Sequence, residues 1–492
     1  MDFDFASLAG LESFVSEKMD EFAVPSMAIA VVRGEEVVYS KTFGHRDVEK
    51  RLPADENTVY AIASLTKAMT ATCVGMLVDE GKLSWDEPVA TYLPEFRMDN
   101  EFAGRSVTLR DMLSHNTGMP RHDWVWYNTN ESRPTNELVE CIRHLKLNKS
   151  PRSLYEYNNL MYATAGYAIE RVTGKPWAEF IKERLFEPLG MNSSSPVIAG
   201  LAEAENKALP YVAGKDYPKG GAVLTRYLDF DGMGACGTVN STLTDMAKWA
   251  SMNLMQGSFK GKKIISEKTL KEIHTPCAVQ RIFEPFPEVP LLSYGLGWNI
   301  RAYRGRLNYT HSGGIDGFST YLSLLPNENV GVVILANMSG LNLHFAVANT
   351  FKDHILGSPG KDWVEHFMAE RKKAHADQDN ANKSVTDLID KNSPPSKPME
   401  DFAGTYTHEA YGKAVFTQAD DLLRLSYHGM ERNLIHCNHD TYYFDMSDDY
   451  VQNFTVVRFV LDSSGKVTEV HIDLEKALKG ELIVFKRQAL TV

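Results

Sequence analysis

Ser64-Leu65-Thr66-Lys67 sets a hydroxyl and an amine three positions apart. On a helix, residues at i and i+3 share a face, so the two side chains meet. A serine hydroxyl is a weak nucleophile until a neighbour takes its proton. A lysine one turn away takes it once burial lowers the pKa of the amine. Ser64 at a helix start also gains from the positive end of the helix dipole. The same spacing recurs at 358–361 and 463–466, where glycines fill the third place and the segments read as solvent-facing turns. Ser64 differs in context: a strand leads into it and an apolar-faced helix leaves it.

Two further segments carry groups that would serve such a serine. Tyr157-Asn158-Asn159 stands just before a strongly periodic helix. A phenol keeps its proton at neutral pH. A cation beside it lowers its pKa, which makes Tyr157 a general-base candidate toward Ser64. Asn159 either orients the lysine or a substrate carbonyl, or simply caps the helix. His311-Ser312-Gly313-Gly314 ends a predicted strand. Glycines there let the backbone approach a ligand, and a backbone N–H with that of Ser64 makes an oxyanion hole. A tight hairpin turn accounts for the same residues equally well. Trp124, Trp126 and Tyr127 form an aromatic cluster that either lines an acyl pocket or packs in the core. Ser312, Gly313, Trp124 and Trp126 are the candidate substrate contacts. His115 reads as loop support. The sequence contains neither H-E-x-x-H nor G-x-S-x-G, so zinc-peptidase and α/β-hydrolase readings lack their motifs.

Residues 8–22 are helical in period, and 27–32 with 37–43 read as a hairpin around Gly34. After Ser64, apolar residues at 65, 69, 73, 76 and 77 share one helical face. Gly81 is its stop signal. Helices are also expected at 107–114 with a Thr108 cap, at 160–172, 177–186, 244–255 and 341–355. Gly232, Gly234 and Gly237 read as a glycine-rich loop. Strands are expected at 307–311, 318–325 and 330–337. Strands therefore open and close the first unit, with helical material between them. Residues 364–399 are polar and then Pro-rich, which reads as a linker, part helical at its start. Short strands at regular spacing follow, at 404–407, 414–418, 422–427, 442–446, 455–461 and 467–472. They point to a small antiparallel β-domain. The expected division is 1–363, a linker at 364–399, and a β-barrel-like domain at 400–492.

The chain has 492 residues, long enough for two or more units, with 43% hydrophobic and 24% charged residues. Its net charge is −12 and it shows no basic stripe, which argues against nucleic acid as partner. Five scattered cysteines, none in a C-x-x-C pair, read as free thiols rather than a disulfide frame or zinc site. The start lacks the basic region of a secretory signal, and no apolar run approaches the ~20 residues that span a bilayer. These features predict a cytoplasmic protein away from membranes. No metal or organic cofactor is implied, and the oligomeric state is left open.

Taken together, the three segments resemble the S-x-x-K, Y-x-N and K-T-G or H-x-G motifs of class C β-lactamase-like, penicillin-binding-protein-like serine hydrolases. Val24 to Ala28, the 107–118 segment, 183–190, Ser241-Thr242 with Asp245, 294–298 and 326–337 are similar to the family as well. The resemblance covers about 8–356, and the end of the chain is similar to the lipocalin-like β-domain of many members. It implies an α/β fold, an antiparallel sheet flanked by helices with a helical subdomain, followed by a small all-β domain. It also implies roles: Ser64 as nucleophile, Lys67 as proton acceptor, Tyr157 as proton shuttle, and Asn159 holding Lys67 and substrate. The backbone N–H groups of Ser64 and Gly314 become the oxyanion hole. His311 stands where β-lactamases carry a lysine. A mostly neutral histidine binds a β-lactam carboxylate less well, so the esterase, D-aminopeptidase and transesterase branch fits better. Asn158 departs from the usual Ser or Ala, a change expected to matter little. The implied activity is hydrolysis of a small ester or amide through an acyl-serine. The alternatives are acyl transfer to an alcohol or amine, and a non-catalytic binding module.

Overall fold

The computed structural model describes residues 4–127, 132–214, 217–281, 286–446, 454–478 and 480–489. The first three residues of the chain start read above lie outside them. After a 3-10 turn and helix α1, Glu12–Glu21, the chain forms the expected hairpin of β1, Ser26–Arg33, and β2, Glu36–Asp47. A short β3, Leu52–Pro53, adds to β2. The remaining strands come from much later in the chain: β4 Ala278–Val279, β5 Leu292–Tyr294, β6 Asn299–Tyr303, β7 Arg306–Ile315, β8 Phe318–Leu325 and β9 Val330–Ala336. The sheet order is β4-β5-β6-β7-β8-β9-β1-β2-β3, and every pair is antiparallel. The two ends of the first unit thus meet at β1 and β9, with Ile29 opposite Ile334.

Both faces of β1 are buried, which explains its unbroken apolar run. Met27, Ile29 and Val31 face one core with helix 343–355, while Ala28, Ala30 and Val32 face the other with helix 243–254. Small alanines let that second helix lie close to the strand.

Helix α2, Thr66–Asp79, departs from the one-sided pattern read from its sequence: every residue from Thr66 to Leu77 is buried. It runs through the helical subdomain, surrounded by α3, Leu160–Thr173, and by the helices at 177–181 and 267–273. Its threonines survive burial because they have partners: Thr70 donates to the Ala235 carbonyl at 2.7 Å and Thr72 to that of Ala68 at 3.0 Å. The expected glycine-rich loop at 232–237 is instead two short helical turns, ending in α4, Gly234–Gly237. Glycine serves packing there: a Cβ on Gly234 would come within 3.1 Å of the Trp177 ring. The Thr108 cap is a full capping box with Asp111.

Residues 363–386 form one long helix, with only Trp363 and Val364 buried. The second nine-stranded sheet follows: β10 Gly404–His408, β11 Gly412–Ala419, β12 Leu422–Tyr427, β13 Met430–Asn433, β14 Ile435–Asn438, β15 Thr441–Asp445, β16 Phe454–Leu461, β17 Val467–Ile472 and β18 Ile483–Arg487. It is a barrel-like antiparallel sheet in the order β13-β12-β11-β10-β18-β17-β16-β15-β14. Phe402, Tyr406, Phe416, Phe459 and Phe485 fill its interior. Strands β13, β14 and β18 escape a reading of pattern because they are short and mix polar or charged with apolar residues. Among the described residues, no helix is long and apolar enough to cross a membrane.

Candidate active site

Ser64 sits in a short 3-10 turn, Ala63–Leu65, that runs directly into α2. Ala63 has φ +47, a left-handed conformation that costs a non-glycine residue about 1 kcal/mol or more. The strained residue turns the chain so that Ser64 is partly exposed at the N-terminal end of a helix buried from Thr66 to Leu77. Lys67, one turn on, is fully buried. Its Nζ donates to Ser64 Oγ at 2.9 Å and to the Cys236 carbonyl of α4 at 2.8 Å. The Tyr157 hydroxyl donates to the same Ser64 Oγ at 2.9 Å. The three residues singled out first in the sequence are therefore in direct contact.

Asn159 is at the start of α3, but its side chain caps nothing. Its amide donates to Asp123 at 3.0 Å, and Lys67 is held by Cys236 rather than by Asn159. The cap falls to Asn158, whose Oδ1 accepts from the Met161 N–H at 2.9 Å. The Asn158 amide also donates to the Pro120 carbonyl, which ties the start of α3 to the earlier loop around residue 120. The departure at Asn158 thus has a structural purpose.

His311 lies on β7, where the strand runs on past the end of its pairing with β6 at Thr310. Residues 311–315 consequently present a strand edge toward the Ser64 turn. His311 Nδ1 faces the Ser312 carbonyl at 2.7 Å, so this nitrogen carries the proton. Nε2 then accepts from the Tyr294 hydroxyl at 2.8 Å. Burial, followed by the nearby Lys67 charge, pushes the His311 pKa down to about 3, so the ring is neutral. Gly313 does not face the site: a Cβ there would lie 2.1 Å from the Ile62 carbonyl. Its role is to let β7 lie against the segment that enters Ser64. His115 supports the loop as expected. Its Nδ1 accepts from the Asn158 N–H at 3.1 Å, and burial holds its pKa well below the usual value.

A cavity of about 590 Å³ opens over Ser64. Tyr157, Asn159, His311, Ser312 and Gly314 line it, as do Trp124 and Trp126. Both alternatives for the aromatic cluster are observed: its three rings line the cavity with Phe230, while Trp126 is also buried in the core and Trp124 and Tyr127 pack against it. Sequence reading missed Arg121 and Asp123. Arg121 Nε donates to Asp123 at 2.5 Å, and its guanidinium lies 5.0 Å from the centre of the Tyr157 ring. Asp123 also accepts from the Trp126 indole at 2.9 Å. Nothing in the spacing of these two residues marks them. The one available signal was their place between a family-like segment and the aromatic cluster. Among the described residues, no group of three or more His, Cys, Asp or Glu side chains is arranged to hold a metal ion.

A serine on a helix start, contacted by a lysine and a tyrosine beside a glycine-rich strand edge, is the arrangement at the candidate site. Residues 11–356 match the Beta-lactamase family, and the chain belongs to that family. Residues 389–487 match a domain of unknown function, DUF3471. Over 440 residues the chain is 30% identical to unguisins hydrolase ungD of Aspergillus violaceofuscus, covering 84% of this chain and 77% of that one. Among solved structures it resembles the octameric penicillin-binding protein homologue from Pyrococcus abyssi, with TM-score 0.64 and 24% identity over 99% of this chain and 100% of that one. The D-amino acid amidase of Ochrobactrum anthropi shares the first domain, with TM-score 0.59 and 24% identity over 71% of this chain and 98% of that one.

Proposed function

We propose that the protein is a serine hydrolase that cleaves a small ester or amide through an acyl-Ser64 intermediate. The observation that carries this reading is the convergence of Lys67 Nζ and Tyr157 Oη on Ser64 Oγ, each at 2.9 Å, beneath an aromatic-walled cavity. Ser64 Oγ attacks the substrate carbonyl carbon, and its proton passes to the Lys67–Tyr157 pair. One of the two must therefore enter the reaction deprotonated, since both donate to Oγ in the resting arrangement. The backbone N–H groups of Ser64 and Gly314 hold the oxyanion, with β7 as a rigid support. Tyr157 then protonates the leaving alcohol or amine. Water attacks the acyl-serine, its proton returns by the same route, and Ser64 is released. The hydrolase name of the 30%-identical relative supports hydrolysis as the outcome.

Two features turn the reading away from penicillin as substrate. His311 is neutral, and both its nitrogens are engaged by Tyr294 and Ser312. The site therefore offers no cation there for a β-lactam carboxylate. The Trp124, Trp126 and Phe230 wall suits an apolar acyl group. Transfer of the acyl group to an alcohol or amine is the second reading, favoured by a cavity roomy enough for acyl group and acceptor together. The five cysteines are all free thiols, in keeping with a reducing, cytoplasmic setting.

Incubation with p-nitrophenyl acetate, butyrate and octanoate tests the reading, with Ser64→Ala as control. Nitrophenol release with turnover, and an acyl adduct by intact mass on wild type alone, is the expected result. An adduct that persists until an alcohol or amine is added would shift the outcome to transfer. Equal activity in Ser64→Ala would end the acyl-serine mechanism.

A further inference from the structure

The described lining of the cavity comes entirely from the first domain, yet one wall of it is held from outside. Residues 121–127 supply Arg121, Asp123, Trp124, Trp126 and Tyr127 to that wall. The middle of the segment is gripped by the C-terminal barrel. The Glu475 carboxylate accepts from the His122 backbone N–H at 2.7 Å, across 353 residues of sequence. The Tyr411 hydroxyl meets His122 Nδ1 at 2.6 Å, and the opposite ring nitrogen faces the Lys146 carbonyl at 2.9 Å. Lys146 offers only an acceptor there, so Nε2 carries the proton and Nδ1 accepts from Tyr411. The Tyr427 hydroxyl sits between the Tyr411 carbonyl at 3.1 Å and the Trp124 carbonyl at 3.3 Å, and its ring packs on the Trp124 indole. These groups lie within an apolar cluster that runs unbroken from Val125 and Leu138 to Tyr411 and Tyr427.

His122 needs this grip. Its backbone is left-handed, with φ +48, a conformation that a non-glycine residue keeps only where its surroundings impose it. Arg121 and Asp123 flank it on either side. Asp123 carries the hydrogen bonds to Asn159 and Trp126, while Arg121 covers the Tyr157 ring. A shift at His122 moves all of these at once. Ser64, Lys67 and Tyr157 are coupled directly to one another and do not depend on the loop for their mutual contacts.

We propose that Glu475 and Tyr411 are positioning residues for the acyl pocket: by fixing the backbone and ring of His122 they set the wall that selects the acyl group, so the C-terminal domain governs specificity without touching substrate. The proposal rests on the acyl-Ser64 reading. Its test uses the full chain and two readouts, one of which needs no turnover.

Glu475→Ala leaves the His122 N–H without its acceptor, a loss worth about a tenfold change in an equilibrium. KM for p-nitrophenyl octanoate should rise about tenfold, while kcat for the acetate stays within about threefold of wild type. Glu475→Gln keeps a carbonyl oxygen for His122 and should restore the octanoate KM to within about threefold of wild type. Tyr411→Phe should move in the same direction as Glu475→Ala. Amide hydrogen exchange should rise in Glu475→Ala over residues 121–127 and not over α2. Unchanged kinetics and exchange would overturn the proposal. So would an equal loss for every ester with exchange rising throughout the first domain, since that is a fold defect alone. If wild type turns over no ester, exchange still decides: a rise confined to 121–127 supports positioning and leaves the acyl-serine reading to fall by itself.

Discussion

Two donors meet on one oxygen at Ser64, and the geometry makes the identity of the lysine critical. Lys67 is buried, and its amine spans the gap between Ser64 and the Cys236 carbonyl. A guanidinium is larger, planar and never deprotonated in a protein. Lys67→Arg should therefore lower kcat/KM about 10²- to 10⁴-fold, the range of a lost general base. Steady-state ester kinetics with a thermal melt check this, and near wild-type rates would remove Lys67 from proton transfer. Ser64 and Lys67 were legible as candidates because the proposed chemistry needs particular residue types at a fixed helical spacing. Arg121, Asp123 and Glu475 were not, because charged residues are common and the contacts that bring them to the site, with Tyr157, Asn159 and His122 respectively, are distant in sequence. Asn159 shows the limit within a recognised motif: the residue was found, but its partner is Asp123 rather than Lys67.

At the scale of elements, β7 and the 3-10 turn carrying Ser64 are fitted by one glycine. A methyl group on Gly313 would drive into the Ile62 carbonyl and the Thr320 hydroxyl. Both belong to the packing that sets the strand edge beside Ser64, since Thr320 donates to that carbonyl at 3.0 Å. Gly313→Ala should cost about 1–3 kcal/mol of stability, as overpacking does, and lower ester turnover at least about tenfold. Gly360→Ala, at a position open on all sides, should change neither. Denaturant titration of both variants separates the outcomes, and equal stabilities would contradict the close fit. Strands with long apolar runs were readable from sequence, as was the capped turn at Thr108. The 232–237 helical turns were not, because glycine marks both a loop and a tight helix contact, and only the neighbours Trp177 and Phe230 decide between them.

Across the whole molecule, burial of neutral histidines sets the response to acid. Desolvation, in each case the leading cause, pushes His274, His311 and His344 down to about 3, and His122 and His408 down to about 4. The unfolded chain protonates these rings near pH 6.5. Between that value and pH 3–4 the unfolded state binds more protons than the folded one, so stability falls as the pH falls. The stabilising preference for the neutral rings is complete above pH 6.5 and is lost progressively on acidification. Denaturant midpoints at pH 7.5, 6, 5 and 4 should decrease in that order, and a flat series would refute neutral burial. These histidines sit in both domains and at the seam between them, which no local pattern in the sequence discloses.

The grip of the barrel on His122 also bears on heredity. The residues proposed to do the chemistry are all encoded before residue 315, but the side chains that hold His122, and on our proposal the cavity wall with it, are encoded after residue 410. Two genes that agree through the first 360 codons and differ in the last 90 would then specify enzymes of different appetite, and a recombination point in the long helix would transfer a preference for acyl groups on a segment that never meets one.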